Sequence, residues 1–242
     1  MVNWMGNQWP MLTVGPTIPS LYLDKRLEDD ADCGLSLFKP KAEACLRWLN
    51  LKLPCSTVYV SFESLVSLGE DLMKELASGL RLMKSHFLWV ERAFEEKKLL
   101  NITVPIFHSQ MSEKGSVVRW CNQLQVLSHG SVGCFMTHCG WNSTVEALSL
   151  GVPMVAMPQW VDQPTNASFV VEVWKVGLRV RANKRGVVTG EEIESCVNEI
   201  MEGGGRGKEI RENSLGWKEM AKWAIDEGGS SKRTSKNLSQ HS

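Results

Sequence analysis

The chain has 242 residues, 43% of them hydrophobic and 22% charged, enough for one large domain with flanking arms and too apolar for wholesale disorder. Lys plus Arg and Asp plus Glu both number 27, so the formal net charge is zero, which argues against a nucleic-acid partner. Seven cysteines at loose spacing suit reduced thiols rather than a disulfide framework, and with no secretory leader pattern and no run of roughly 18–20 apolar residues, a cytoplasmic protein without a membrane partner is expected.

Residues 1–35 read as an extended arm, because Pro10, Pro16 and Pro19 break any helix and 25–32 is a charged stretch. A short amphipathic helix is predicted over 40–49, with Ala44, Cys45, Trp48 and Leu49 on one face. Short β-rich runs then alternate with helical patterns. Strands are predicted at 58–62, 87–90, 117–120, 134–137, 153–157 and 178–181. Helices are predicted at 70–83, 142–150, 162–174, 189–202 and 207–226. Near-continuous apolar strands between helices predict a parallel sheet covered on both faces, a doubly wound α/β domain. Such domains bind ligands beyond the carboxyl ends of their strands. The expected division is 1–50 as linker and packing helix, 51–228 as the ligand-binding domain, and 229–242 as a frayed, Ser- and Lys-rich tail. Residues 95–112 show no clear period and are expected to be a surface loop. Glycosylation sequons at Asn101, Asn142 and Asn166 carry little weight without a secretory signal.

Two turns carry candidate chemistry. After the strand at 134–137 the chain reads His138-Cys-Gly-Trp-Asn-Ser-Thr-Val-Glu146. Gly140 permits a tight strand-to-helix turn, and Ser143 with Glu146 has capping-box spacing. A helix starting there would offer free N–H groups and a positive dipole end, a place for phosphate, with His138, Asn142 and Ser143 as added donors. On spacing alone a plain capping box with a packed His138 fits as well. The second turn, Pro158-Gln-Trp-Val-Asp-Gln163, follows the next strand. Asp162 beside Gln163 suits vicinal sugar hydroxyls, and Asp162 as a simple helix cap fits too. A G-x-G-x-x-G nicotinamide motif is missing, and Cys134, His138 and Cys139 lack the paired spacing of a zinc site.

Together these residues resemble a known signature. The block from Trp120 to Gln163, WCNQLQVLSHGSVGCFMTHCGWNSTVEALSLGVPMVAMPQWVDQ, is similar to the secondary product glycosyltransferase box of plant UDP-glycosyltransferases, at that family's usual length. The flanks GPTIPSLYLDKRLEDD, FKPKAEACLRWLN, VYVSF, HFLWV and RGKEIRENSLGWKEMAKWAIDEGGSS agree with it, so the resemblance covers nearly the whole chain. It implies the Rossmann-like, C-terminal, donor-binding domain of a two-domain GT-B enzyme. By position, it implies that Trp120 stacks on uracil and that the Cys121 backbone bonds the uracil edge. Gln123 and Glu146 would hold the ribose, and His138, Asn142 and Ser143 would meet the diphosphate, with Ser64 also among the UDP-sugar-binding residues. Trp141, Asp162 and Gln163 would contact the sugar, with Gln163 favouring UDP-glucose as donor. Transfer in the family inverts the anomeric centre and uses neither metal nor cofactor.

The same resemblance implies an acceptor pocket and a catalytic His, oriented by an Asp, in an N-terminal domain. This sequence begins at what resembles the interdomain linker, and none of its five histidines lies in that context, so no catalytic residue is expected here. A small-molecule acceptor is expected to engage only where an N-terminal domain is supplied. Where the family reads Ser-Phe-Gly-Ser, this chain reads Ser61-Phe-Glu-Ser64, and Glu63 should repel a diphosphate. Three expectations follow: a glucosyltransferase seen in part, a UDP-sugar-binding remnant without turnover, or an interaction partner of an intact homologue.

Overall fold

The computed structural model describes residues 15–23, 42–62, 69–90, 114–226, 228–231 and 233–234. Its centre is a six-stranded, wholly parallel sheet of order β3-β2-β1-β4-β5-β6. The strands are β1 (Thr57–Ser61), β2 (His86–Val90), β3 (Gly115–Val118), β4 (Val132–Thr137), β5 (Met154–Ala156) and β6 (Gly177–Arg179). The helices are α1 (Ser20–Leu23), α2 (Ala42–Asn50), α3 (Glu70–Leu82), α4 (Gln123–Leu127), α5 (Trp141–Leu150), α6 (Gln163–Ser168), α7 (Gly190–Met201) and α8 (Gly205–Ile225). This is the doubly wound α/β architecture the strand and helix pattern predicted.

The strands read as unbroken apolar runs because both faces are covered. Side chains still alternate. Val58, Val60, Phe87, Trp89, Cys134, Met136, Val155 and Leu178 enter one core with Leu76 and Leu80 of α3 and Ile193, Val197 and Ile200 of α7. Tyr59, Leu88, Val90, Phe135 and Met154 enter the other with Cys45 and Leu49 of α2 and Ala147 and Leu150 of α5. Across β1 and β4 the rings of Tyr59 and Phe135 stack at 4.9 Å and 18°. Each fully buried large apolar side chain contributes about 1.5–3 kcal/mol. Helix α8 straddles both layers: Ile210 joins the first core, and Trp217, Ala221 and Ile225 pack on the second.

Several boundaries differ from expectation. The strands predicted at 117–120 and 178–181 lie earlier, at Gly115–Val118 and Gly177–Arg179, which leaves Trp120 beyond its strand. The helix predicted over 162–174 divides into α6 and a π-helical turn, Phe169–Val173. Helix α4 was not foreseen because QLQVL is too short to show a period; its sequence sign is Asn122, whose Oδ1 accepts from Gln125 N at 3.2 Å. In the arm, α1 is helical, and Leu23 is buried in the second core. The chain after α8 folds back toward it, with Gly15 N donating to Ser231 Oγ at 3.1 Å. The loop expected at 95–112 lies outside the described residues, as do Glu63 and Ser64.

Candidate functional site

The sheet order fixes where a ligand can sit. The chain leaves β1 and β4, which are neighbours, toward opposite sides of the sheet, and the crevice this opens lies at their carboxyl ends. Helix α5 starts there. Its N-cap is Gly140, with extended φ −58° and ψ 148° and no side-chain cap. Thr144 N is the first amide to bond back, to Gly140 O at 2.9 Å. The N–H groups of Trp141, Asn142 and Ser143 therefore find no acceptor among the described residues, and they stand at the positive end of the helix dipole.

The capping box expected between Ser143 and Glu146 does not form. Helix α5 begins three residues earlier than that cap requires, and Gln123 of α4 takes both side chains instead. Gln123 Nε2 donates to Ser143 Oγ at 3.0 Å and to Glu146 Oε2 at 2.8 Å. Behind it, the buried Tyr59 hydroxyl lies 3.4 Å from both Gln123 Oε1 and Cys121 Sγ. Burial pushes the Glu146 carboxyl above its ordinary range, with the Gln123 hydrogen bond opposing. Burial likewise holds the Tyr59 phenol protonated, so it acts as a donor. The Cys45 thiol, by its hydrogen bond to Cys121, and then burial push the Cys121 thiol up.

His138 packs under the helix start, 3% exposed. Its Nε2 lies 2.4 Å from where a Cβ on residue 140 would stand, so only glycine lets ring and helix approach this closely. Between them Cys139 adopts φ 63°, a left-handed conformation uncommon for a non-glycine residue.

The turn after β5 completes the crevice. Asp162 occupies the N-cap position of α6 but makes no cap bond, against the simple-cap alternative. Its Oδ2 accepts instead from Asn166 Nδ2 at 2.8 Å, and the same nitrogen donates to Cys139 O at 2.9 Å. Gln163 is buried, and its Oε1 accepts from Gln159 N at 2.9 Å and Trp160 N at 3.2 Å. Those bonds clamp the turn and leave Gln163 Nε2 without a hydrogen-bond partner among the described residues. Trp141, 57% exposed, and Trp160 stand at the rim.

The profile of the family described as UDP-glucoronosyl and UDP-glucosyl transferase matches residues 28–215. The chain belongs to the UDP-glycosyltransferase family. It is 55% identical over 232 residues to Mogroside I-E synthase of Siraitia grosvenorii, covering 96% of this chain and 50% of that protein. It is 54% identical over 234 residues to UDP-glycosyltransferase 74E2 of Arabidopsis thaliana, covering 97% of this chain and 51% of that protein. Among solved structures it is similar to Os79 from O. sativa in complex with UDP, with a TM-score of 0.89 and 39% identity, covering 99% of this chain and 52% of that one. The chain spans about half the length of the curated relatives it matches. The expected fold, a Rossmann-like sheet of the GT-B type, is thereby established.

In this UDP-glycosyltransferase chain the residues singled out from sequence, Ser64 apart, follow the carboxyl ends of β3, β4 and β5, and hydrogen bonds join these segments through Gln123 and Asn166. Trp120 and Cys121 precede α4, Gln123 opens it, and His138, Trp141, Asn142, Ser143 and Glu146 belong to the β4–α5 junction. Asp162 and Gln163 begin α6. Ser64 lies outside the described residues. Tyr59 and Asn166 were not foreseen as site residues. The signal for Asn166 was its four-residue spacing from Asp162 on a predicted helix. Among the described residues no group of three or more His, Cys, Asp or Glu side chains is arranged to hold a metal, and no helix is long and apolar enough to cross a membrane.

Proposed function

We propose that this chain binds the donor of a glucosyl transfer, UDP-glucose, in the crevice between β1 and β4. The observation that carries the proposal is the junction of three N–H groups at the start of α5, without an acceptor among the described residues, with the Gln123–Glu146 pair on one side and the Asp162–Gln163 turn on the other. A diphosphate matches the N–H groups and dipole. The Glu146 carboxylate, already desolvated and oriented by Gln123, suits the ribose hydroxyls. Trp120 offers an indole to the uracil, and the Cys121 backbone offers the edge contact. Asn142, Ser143, His138 and Ser64 serve the phosphates. Trp141, Asp162 and Gln163 serve the sugar, Gln163 through Nε2 and Asp162 through Oδ1, which have no partner among the described residues. Of the similar structures, one is Os79 in complex with U2F and trichothecene, at 37% identity and a TM-score of 0.85.

In the transfer itself, an acceptor oxygen attacks the anomeric carbon from the face opposite UDP. The bond from that carbon to the phosphate oxygen breaks, UDP leaves with the electron pair, and a base takes the acceptor proton. The helix start and its dipole stabilise the charge that develops on the leaving diphosphate, so no metal is required for that task. The base and the acceptor pocket are assigned to the part of the relatives' length that this chain does not match. Of the described histidines, His138 is given to the phosphates, and the other two are engaged elsewhere: His86 Nδ1 lies 3.3 Å from Lys114 O, and His129 meets Ser131 Oγ and Asn50 Oδ1 at 2.9 Å each. That favours, as a second reading, donor binding without turnover by the chain alone.

Thermal melts with added ligand test the proposal, since a ligand that binds only the folded chain raises its Tm. UDP and UDP-glucose should both raise it, uridine should do so less, and UDP-galactose less than UDP-glucose. Equal shifts for the two sugar nucleotides would refute the glucose assignment. Sugar transfer to a simple phenol by the chain alone would refute the assignment of the base.

A further inference from the structure

We infer that Asn166 is a positioning residue for recognition of the donor sugar, one amide that ties the loop after β4 to the turn after β5 and aims Asp162. The inference rests on the donor-binding reading above. Asn166 is 7% exposed, and its Nδ2 donates to Cys139 O at 2.9 Å and to Asp162 Oδ2 at 2.8 Å. Both partners can only accept, so the orientation of the amide is forced and both of its hydrogens are used.

Each bond has a consequence. Cys139 is the residue in the left-handed conformation, and its backbone is held at both ends, its N–H by Thr137 Oγ1 at 3.3 Å and its carbonyl by Asn166. Strained backbone of this kind persists only where its surroundings hold it. Cys139 leads directly into the N–H groups of α5, so the Asn166 contact also steadies the phosphate end of the crevice. At the other end, Asp162 is exposed at the tip of a turn, and the Asn166 bond fixes one of its carboxylate oxygens. Its Oδ1 has no partner among the described residues and stays available to a sugar hydroxyl. The four-residue spacing of Asp162 and Asn166 along α6 sets the reach of this contact. The same burial and bonding remove Asn166 from use as a glycosylation acceptor in the folded chain.

The test is the ratio of the dissociation constants for UDP and UDP-glucose, measured by calorimetry. Loss of a hydrogen bond to a charged group should shift that ratio about tenfold against UDP-glucose in Asn166→Ala. In an Asp162→Ala background the same substitution should leave the ratio unchanged, because there is no carboxylate left to aim. Ser214→Ala, which removes another buried hydrogen bond, to Ile210 O on α8, should lower Tm without moving the ratio. If Asn166→Ala does not fold, Asn166→Asp keeps the shape without the donor and should shift the ratio at least as far. Equal weakening of both ligands, or a full shift in the Asp162→Ala background, overturns the inference while leaving donor binding intact. Binding of neither ligand by the unaltered chain overturns the donor reading, and this inference with it.

Discussion

Gly140→Ala probes the tightest approach in the crevice. The backbone at Gly140, φ −58° and ψ 148°, suits any residue, so the added methyl acts by sterics alone. It would stand 2.4 Å from His138 Nε2 and 3.3 Å from Cδ2 and Cε1. Ordinary contact needs at least 3.4 Å, so ring or helix start must give by about 1 Å. His138 is a buried ring and cannot swing aside as an exposed chain end would. Overpacking of this size costs about 2 kcal/mol. For a domain of this length that lowers Tm by about 4–8 °C. UDP affinity should fall with it, since the displaced elements carry the phosphate N–H groups. Thermal melts and UDP titration read both effects. A double-mutant cycle sharpens the test, because in a His138→Ala background the methyl has room and Gly140→Ala should cost much less. A Gly140→Ala chain with unchanged Tm and unchanged UDP affinity would refute the packing of His138 beneath α5.

The remaining predictions address charge and packing elsewhere. Burial holds the Glu146 carboxyl above its ordinary range, so the folded state binds the proton more tightly than the unfolded one. Ionised Glu146 therefore subtracts stability as pH rises above the ordinary carboxylate range, and the subtraction is lost again as pH falls. Glu146→Gln should accordingly raise Tm at neutral pH and flatten its dependence in the weakly acidic range, while weakening UDP about tenfold in a titration. Gly207→Ala would set a methyl 2.0 Å from the Glu199 carbonyl, part of the α7 backbone, and should cost about 3 kcal/mol or more by chemical denaturation, with UDP affinity of the folded fraction unchanged. Glu63→Gly removes a negative charge beside the expected diphosphate and should tighten UDP about fivefold, less so at high salt.

Much of the fold was legible because the strands carry two signals at once. Their continuous apolar character marks burial on both faces, and Gly151, in the left-handed conformation at φ 72°, ends α5 where the glycosyltransferase box has its glycine. The site was legible in its residue types and only partly in their pairing. Ser143 and Glu146 have the spacing of a local cap, yet their partner is Gln123, twenty residues upstream of Ser143. Local spacing cannot register a competitor that tertiary packing brings in. Asn166 was hidden for a related reason: its bond to Asp162 is local, but the one to Cys139 runs from α6 to the loop after β4. The π-helical turn after α6 likewise follows from tertiary packing, since Val170 lies in the second core beneath it, and no period in FVVEV announces it.

Calorimetric titration of the chain with UDP and UDP-glucose tests the central claim most directly. A saturable heat at one site per chain is predicted for both ligands, abolished or strongly reduced by Trp120→Ala. No heat with either ligand, for the unaltered chain and for Glu63→Gly alike, would contradict it.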